Sequence, residues 1–137
     1  MTTSTQRTTT TTTTNIGVVM FTVADQDAAE RFYVGTLGWE LRGDTRFGEN
    51  GEYRWLEVAP PGSTTRLALN PPMNDQPGGG CIGVETTDLQ AEHAFLTGIA
   101  GIELGTCPTG SDTATGVPPL FMFRDPDGNA ITVVQVS

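Results

Sequence analysis

The sequence contains an internal repeat, and this repeat limits the folds that are open to the chain. When the chain is shifted by 63 positions, residues 17–43 align with residues 80–106 without a gap, and eight of the 27 aligned pairs are identical. Chance agreement at ordinary composition would give roughly two. The repeat therefore predicts one supersecondary unit that is used twice. Two such units facing one another would form a cleft, which is where a small-molecule site usually lies.

Each copy of the repeat follows a β-α-β-β-β pattern. In the first copy the predicted strands cover 16–23, 39–41, 53–58 and 65–69, with a helix over 26–37 and a loop over 43–51. In the second copy they cover 81–86, 102–104, 120–123 and 130–136, with a helix over about 89–99. Asp25 and Asp88 precede the two helices as candidate N-caps, and Gly38 and Gly101 follow them as helix stops.

Composition divides the chain into a tail, two modules and a linker. We expect a disordered Thr-rich tail at 1–14, a first module at 15–71, a linker at 72–80 and a second module at 81–137. The tail holds ten threonines and no apolar residue after Met1, so it cannot bury enough surface to fold. The two modules together are expected to form one integrated domain, 15–137.

Charge and hydropathy exclude several classes of partner. A net charge of −9 argues against nucleic acid, which requires a basic surface. No apolar run is long enough to span a membrane, and the tail lacks the apolar core of a secretion signal, so we expect a cytoplasmic protein. Cys81 and Cys107 have no metal-type spacing and are expected to be reduced thiols.

The duplicated pattern resembles that of a known superfamily. Asp25, Phe32-Tyr33 and Leu37-Gly38 in the first copy, and Phe123-x-Asp125-Pro126-Asp127-Gly128-Asn129 in the second, resemble the vicinal oxygen chelate superfamily. That group includes glyoxalase I, the bleomycin-resistance proteins and the extradiol dioxygenases. The resemblance covers residues 16–136. It implies an α+β fold in which two tandem βαβββ modules form a cupped, barrel-like cleft, and a homodimer that completes the cleft.

The resemblance also indicates where a metal would bind. Metal-dependent members of the superfamily place four ligands, usually His and Glu, on the strands of the cleft. Their motifs carry these positions onto Val18, Ala68, Cys81 and Thr132. A catalytic metal site needs about three strong N, O or S ligands, which this set does not supply. We therefore expect no metal and no other cofactor.

Side-chain alternation extends these four positions to a predicted pocket. Val18 brings Met20 to the same face, and Ala68 brings Arg66. A second repeat signal, at an offset of 66, aligns Pro60-x-Gly62 with Pro126-x-Gly128 and makes Trp55 equivalent to Phe121. The predicted ligand-binding residues are Val18, Met20, Trp55, Arg66, Ala68, Cys81, Phe121 and Thr132. Whether Trp55 and Phe121 line the pocket or pack in the core remains open at this point.

Three functions are compatible with this pocket. The leading one is metal-free binding of a small, partly aromatic organic molecule, similar to the bleomycin-resistance branch. The second is a metal-free isomerase or lyase with Glu57 or Glu85 as general base. The third is an enzyme of glyoxalase or dioxygenase type with displaced metal ligands such as Glu57, Glu85 and Cys81.

Overall fold

The structure is a computed structural model that describes residues 10–108 and 116–136. Much of the predicted tail and part of the long second-module loop lie outside these ranges. The first module contains β1 (Val18–Thr22), α1 (Gln26–Glu30), a π-helical segment (Arg31–Thr36), β2 (Glu40–Phe47), β3 (Tyr53–Ala59) and β4 (Arg66–Asn70). The second contains β5 (Cys81–Thr86), α2 (Leu89–Thr97), β6 (Glu103–Leu104), β7 (Leu120–Arg124) and β8 (Ala130–Gln135).

Both modules use the same sheet topology. The strand orders are β1-β4-β3-β2 and β5-β8-β7-β6. In each sheet the first and last strands of the module pair in parallel, and the other neighbours are antiparallel. This confirms the predicted α+β fold of two βαβββ modules. Within the described residues, no helix is long and apolar enough to cross a membrane.

The repeated helix-start signals act as the sequence predicts. The Asp25 carboxylate accepts hydrogen bonds from the backbone N–H groups of Asp27 and Ala28. The Asp88 carboxylate accepts one from Ala91 in the same way. After the helices, Gly38 and Gly101 have φ values of 80° and 79°, a conformation that other residues adopt only with strain. The equivalent N-caps therefore fix equivalent helix starts, but the ends differ: Gly38 directly follows the C-cap Leu37, whereas α2 ends at Thr97 with Gly98 as its C-cap, before the predicted stop Gly101.

Two elements of the first module differ from the prediction. The predicted helix over 26–37 is α-helical only to Glu30 and continues as a π-helical segment. The predicted loop over 43–51 is wrong at its start, because β2 extends to Phe47. Phe47 pairs with Tyr53, and a register shift between Leu41 and Gly43 leaves Arg42 as an extra residue on β2. Pairing with β3 therefore overrides the weak strand propensity of this segment.

One hydrophobic core joins the two modules. Each sheet turns one face, which we call its inner face, toward this core, and the helices pack there as well. The first sheet contributes Phe21, Leu56, Val58, Leu67 and Leu69, and the second contributes Phe121, Phe123, Ile131 and Val133. The helical segments add Ala29, Tyr33, Leu89 and Leu96. The opposite face of each sheet, its open face, carries none of these core residues.

A buried polar network also crosses between the modules. The Tyr33 hydroxyl donates to Asp125 Oδ2 at 2.8 Å, and Asn129 Nδ2 donates to the same oxygen at 3.0 Å. Asn129 Nδ2 also donates to the Thr22 carbonyl at 3.1 Å. Burial, and then the nearby Asp125 carboxylate, raise the pKa of Tyr33 well above its ordinary value. Tyr33 is therefore held as a neutral hydrogen-bond donor between the modules.

Candidate ligand-binding site

The open face of the first sheet brings together most of the predicted site residues. The register pairs Val18 with Arg66, Met20 with Ala68, and Ala68 with Glu57. Trp55 lies two residues before Glu57 on β3 and therefore shares its face. The predicted residues on this face are Val18, Met20, Trp55, Glu57, Arg66 and Ala68.

A hydrogen-bonded group of three side chains lies at the centre of this face. The Trp55 indole N–H donates to Glu57 Oε2 at 2.8 Å, and Arg66 Nε donates to Glu57 Oε1 at 2.8 Å. The Glu57 side chain is 12% exposed and the Arg66 side chain 39% exposed. Glu57 thus lies deeper and uses both carboxylate oxygens to orient the indole and the guanidinium.

The open face of the second sheet is less polar. Thr132 pairs with Gly83 on β5 and with Met122 on β7, so these three positions share a face. Cys81 and Glu85 lie two residues on either side of Gly83 and belong to the same face. All of these except Thr132 are exposed. This face therefore offers a thiol, a hydroxyl, a carboxylate and a thioether.

The structure contradicts the predicted position of Phe121. Phe121 is 2% exposed and pairs with Val133, which is also buried, so its ring lies in the core. Phe123 is likewise a core residue at 3% exposure. The residue opposite Thr132 is Met122. The offset of 66 taken from the two turns is one residue too long for β7, and a shift of one residue exchanges the two faces of a strand.

A cavity with a volume of about 860 Å³ lies between the two sheets. Its lining includes Arg66 and Leu67 of β4, and Cys81 to Glu85 of β5. The segment from Pro60 to Thr65 and the Trp39 side chain complete one side. We refer to this cavity as the cleft.

The cleft includes only part of the predicted set. Of the predicted ligand-binding residues, Arg66 and Cys81 line it, and Glu85 does so as well. Val18, Met20, Trp55, Ala68 and Thr132 lie on the open faces and are not part of its lining. The Arg66 side chain therefore connects the open face of the first sheet with the cleft.

Sequence reasoning did not identify Trp39 and the Pro60-Pro61 pair. These residues line the cleft and also a neighbouring cavity of about 370 Å³, together with Val84 and Glu85. In the sequence, Trp39 falls at the start of a predicted strand. Its role depends on contact with the second module, for which a single local segment carries no signal. The sequence Pro60-Pro61-Gly62 predicts a turn, but it does not predict that this turn lines the cleft together with β5.

The four positions implied for a metal do not fit a divalent ion. Val18 and Ala68 have no donor atom, Thr132 has only a hydroxyl, and Cys81 is an isolated free thiol. Within residues 10–108 and 116–136, no group of three His, Cys, Asp or Glu side chains could hold a metal ion elsewhere.

Two βαβββ modules with a cleft between their sheets define a glyoxalase-like protein. A family model confirms this assignment: the chain belongs to the glyoxalase/bleomycin resistance protein/dioxygenase superfamily, whose model matches residues 15–133.

Individual relatives are similar over nearly the whole chain. A Bacillus subtilis (strain 168) protein, the uncharacterized YetH, is 41% identical over 123 residues, which are 88% of this chain and 97% of YetH. The crystal structure of TnmS3, an antibiotic binding protein from Streptomyces sp. CB03234, has a TM-score of 0.77 and 32% identity. That match covers 93% of this chain and 100% of TnmS3. A superfamily member from Sphaerobacter thermophilus DSM 20745 has a TM-score of 0.76 and 31% identity, with coverages of 90% and 98%.

Proposed function

We propose that this protein binds a small, partly aromatic organic molecule in the cleft without using a catalytic metal. The observation that carries the proposal is the cleft itself. Its volume of about 860 Å³ lies within the range of small-molecule sites, roughly 300–1,000 Å³. The indole of Trp39, the two prolines and the aliphatic residues Leu67 and Val84 give it apolar walls that suit an aromatic body.

The antibiotic-binding neighbour supports a ligand of drug-like size. TnmS3 shares 32% of its sequence with this chain over 93% of the chain's length. We therefore propose an antibiotic as the class of ligand to test first.

The donor chemistry of the site supports binding without a metal. Because Val18 and Ala68 offer no ligand atoms, the purified protein is expected to hold less than one equivalent of Zn, Ni, Mn or Fe. Elemental analysis after dialysis measures this directly. One tightly retained metal ion per chain would contradict the metal-free proposal.

The contacts of Glu57 favour a binding role over general-base catalysis. Both of its oxygens accept hydrogen bonds, from Trp55 and from Arg66. A base must present a lone pair to the proton that it removes, and each Glu57 oxygen already accepts one hydrogen bond from a protein donor. Glu85 lines the cleft, and we assign it a role in ligand recognition.

We further propose that the protein is a homodimer. In the described residues, β1 and β5 each pair with one strand only, so both are edge strands. The open faces also expose apolar side chains, including Met20, Leu120 and Met122. A second copy would cover these surfaces. Sedimentation at micromolar concentration should give twice the chain mass of 14.5 kDa, and a single-chain mass would contradict the proposal.

A cytoplasmic location is part of the same proposal. Cys81 and Cys107 are both free thiols, and Cys81 is exposed. Exposed unpaired thiols are typical of a reducing compartment.

Tryptophan fluorescence tests the binding proposal. A panel of polycyclic aromatic antibiotics is titrated into the wild type, into Trp39→Ala and into Phe47→Ala, a control on the exposed hairpin outside the cleft lining. A compound that binds should lose about 1–3 kcal/mol of affinity in Trp39→Ala and little in the control. Isothermal calorimetry supplies the affinities where the fluorescence change is small. Equal affinity in all three proteins would place the site elsewhere.

A further inference from the structure

We propose that the ligand of the cleft is a zwitterion, with an oxyanion bound by Arg66, a protonated amine bound by Glu85 and an aromatic or apolar body between them. This inference rests on the proposed function and names the ligand class for the same site. The lining of the cleft contains two charged side chains among the described residues, the cation Arg66 and the anion Glu85. They belong to different sheets, so the two charges are presented from the two modules.

Arg66 offers a free hydrogen-bonding edge to the cleft. Its Nε is used by Glu57 at 2.8 Å, and no described residue accepts a hydrogen bond from its two terminal nitrogens. The Arg66 side chain is 39% exposed, against 12% for Glu57, so the positive end of this pair lies outward. The two terminal N–H groups of a guanidinium match the two oxygens of a carboxylate or a similar oxyanion.

Glu85 is a carboxylate without a partner among the described residues. It makes no ion pair or side-chain hydrogen bond there. By contrast, the carboxylates of Asp27, Glu30 and Asp44 each pair with Arg54, at 2.6–2.8 Å. Glu85 lines both the cleft and the neighbouring smaller cavity, and the Trp39 indole lines both cavities too. A carboxylate together with an indole suits an ammonium group, through a charge-assisted hydrogen bond and a cation–π contact.

The apolar residues that line the cleft together with the two charged side chains determine which ligands gain affinity from both charges. A neutral aromatic compound uses only Trp39, the prolines and the aliphatic residues. An anion or a cation gains one charged contact and leaves the other side chain unused. A zwitterion with separated charges satisfies both, and complementary charges of this kind favour specificity.

Four dansyl compounds with one fluorescent body test this order. They are dansylamide (neutral), dansylglycine (anionic), dansylcadaverine (cationic) and Nα-dansyl-lysine, whose carboxylate and ε-ammonium are separated. Titration into the full-length protein should show that Nα-dansyl-lysine binds about tenfold or more tightly than dansylamide, with the singly charged probes in between. The isomer Nε-dansyl-lysine, whose charges are adjacent, should bind less tightly than Nα-dansyl-lysine.

Charge-removing variants assign each contact. Glu85→Gln should remove the advantage of dansylcadaverine over dansylamide and leave the advantage of dansylglycine. Arg66→Gln should do the reverse. Arg46→Gln and Glu49→Gln make the same charge changes at exposed positions outside the cleft lining and should leave all four affinities unchanged. Because Arg66→Gln leaves Glu57 without its cation, Arg66→Lys is measured beside it and should retain part of the preference for dansylglycine.

The outcomes separate this inference from the proposed function. If dansylamide binds as tightly as Nα-dansyl-lysine, the zwitterion preference is wrong and the cleft remains an aromatic-binding site. Unchanged probe order in Glu85→Gln also overturns the inference, and this variant alters only an exposed side chain. If no probe binds below roughly 1 mM, both the inference and the aromatic-ligand proposal fail.

Discussion

The two modules have one backbone plan and different chemistry on their open faces. In the first module, Glu57 lies opposite Ala68, and in the second, Met122 lies opposite Thr132. Arg66 lies beside Val18, and its counterpart Ala130 lies beside Cys81. The first sheet therefore carries an ion pair where the second carries a thioether and a methyl group.

This difference shows which positions the fold itself requires. The inner faces of both sheets are apolar because they share one core, and the caps Asp25 and Asp88 fix equivalent helix starts. The open faces take no part in that core, so their residues can differ without a change of topology. Function in such a scaffold depends on the residues of the site and not on the fold alone.

The largest test of this comparison sets Phe121 against Trp55, which the sequence repeat treats as equivalent. Phe121→Ala should lower the free energy of unfolding by about 3–5 kcal/mol, because the ring is fully packed in the core. Trp55→Ala should cost only about 1–2 kcal/mol, because the indole is half-buried on an open face. Urea unfolding curves of the two variants measure both values. Similar losses of unfolding free energy in the two variants would contradict the assignment of Phe121 to the core and of Trp55 to an open face.

The sequence predicted the topology but misplaced one strand by one residue. The offset of 63 aligns β1 with β5 and both helix caps correctly, because those signals are specific local residues. The strand Leu120–Arg124 has apolar residues at every position before Arg124, so its periodicity does not select a face. Counting outward from the turn at Asp125 to Asn129, as in a hairpin, would have placed Met122 opposite Thr132.

The cleft was predictable in kind but not in detail. Strand alternation correctly grouped Val18, Ala68 and Arg66 on one face of the first sheet. The contribution of Trp39 depends on how the second module packs against the first. That packing is a tertiary contact between distant segments, and no local pattern encodes it.

An intermediate effect is expected when the first module is given the residues of the second. Glu57→Met alone should cost about 1–2 kcal/mol, since it leaves the Trp55 and Arg66 donors without their acceptor. The double variant Glu57→Met/Arg66→Ala removes both members of the ion pair. It should therefore recover part of this loss of unfolding free energy. Thermal unfolding of the single and double variants shows the recovery. A double variant that is less stable than the single one would mean that Arg66 stabilises the sheet through other contacts.

The smallest expected effect on stability concerns the buried polar network between the modules. Tyr33→Phe should cost about 1 kcal/mol at neutral pH, because it removes one donor from Asp125, to which Asn129 still donates. The folded-state pKa of Tyr33 is raised above its ordinary value of 10.0. Above that pH the unfolded chain releases the proton and the folded chain retains it, so this group's contribution to stability falls as pH rises.

The pH dependence distinguishes this hydrogen bond from simple packing. Between about pH 10 and 11.5, the wild type should lose stability through Tyr33 more steeply than Tyr33→Phe, so the difference between them should narrow. Urea unfolding at a series of pH values measures both slopes. Parallel slopes would show that Tyr33 titrates normally and is not held by Asp125.

The network of Tyr33, Asp125 and Asn129 makes the two duplicated halves dependent on each other. Each half contributes donors or acceptors that only the other half completes, and Asn129 reaches the Thr22 carbonyl of the opposite half. The first half expressed alone would leave the Tyr33 hydroxyl without its acceptor, and the second half would leave Asn129 without the Thr22 carbonyl. The two copies have therefore become complementary parts of one molecule: neither can replace the other, although both derive their shape from the same repeated pattern.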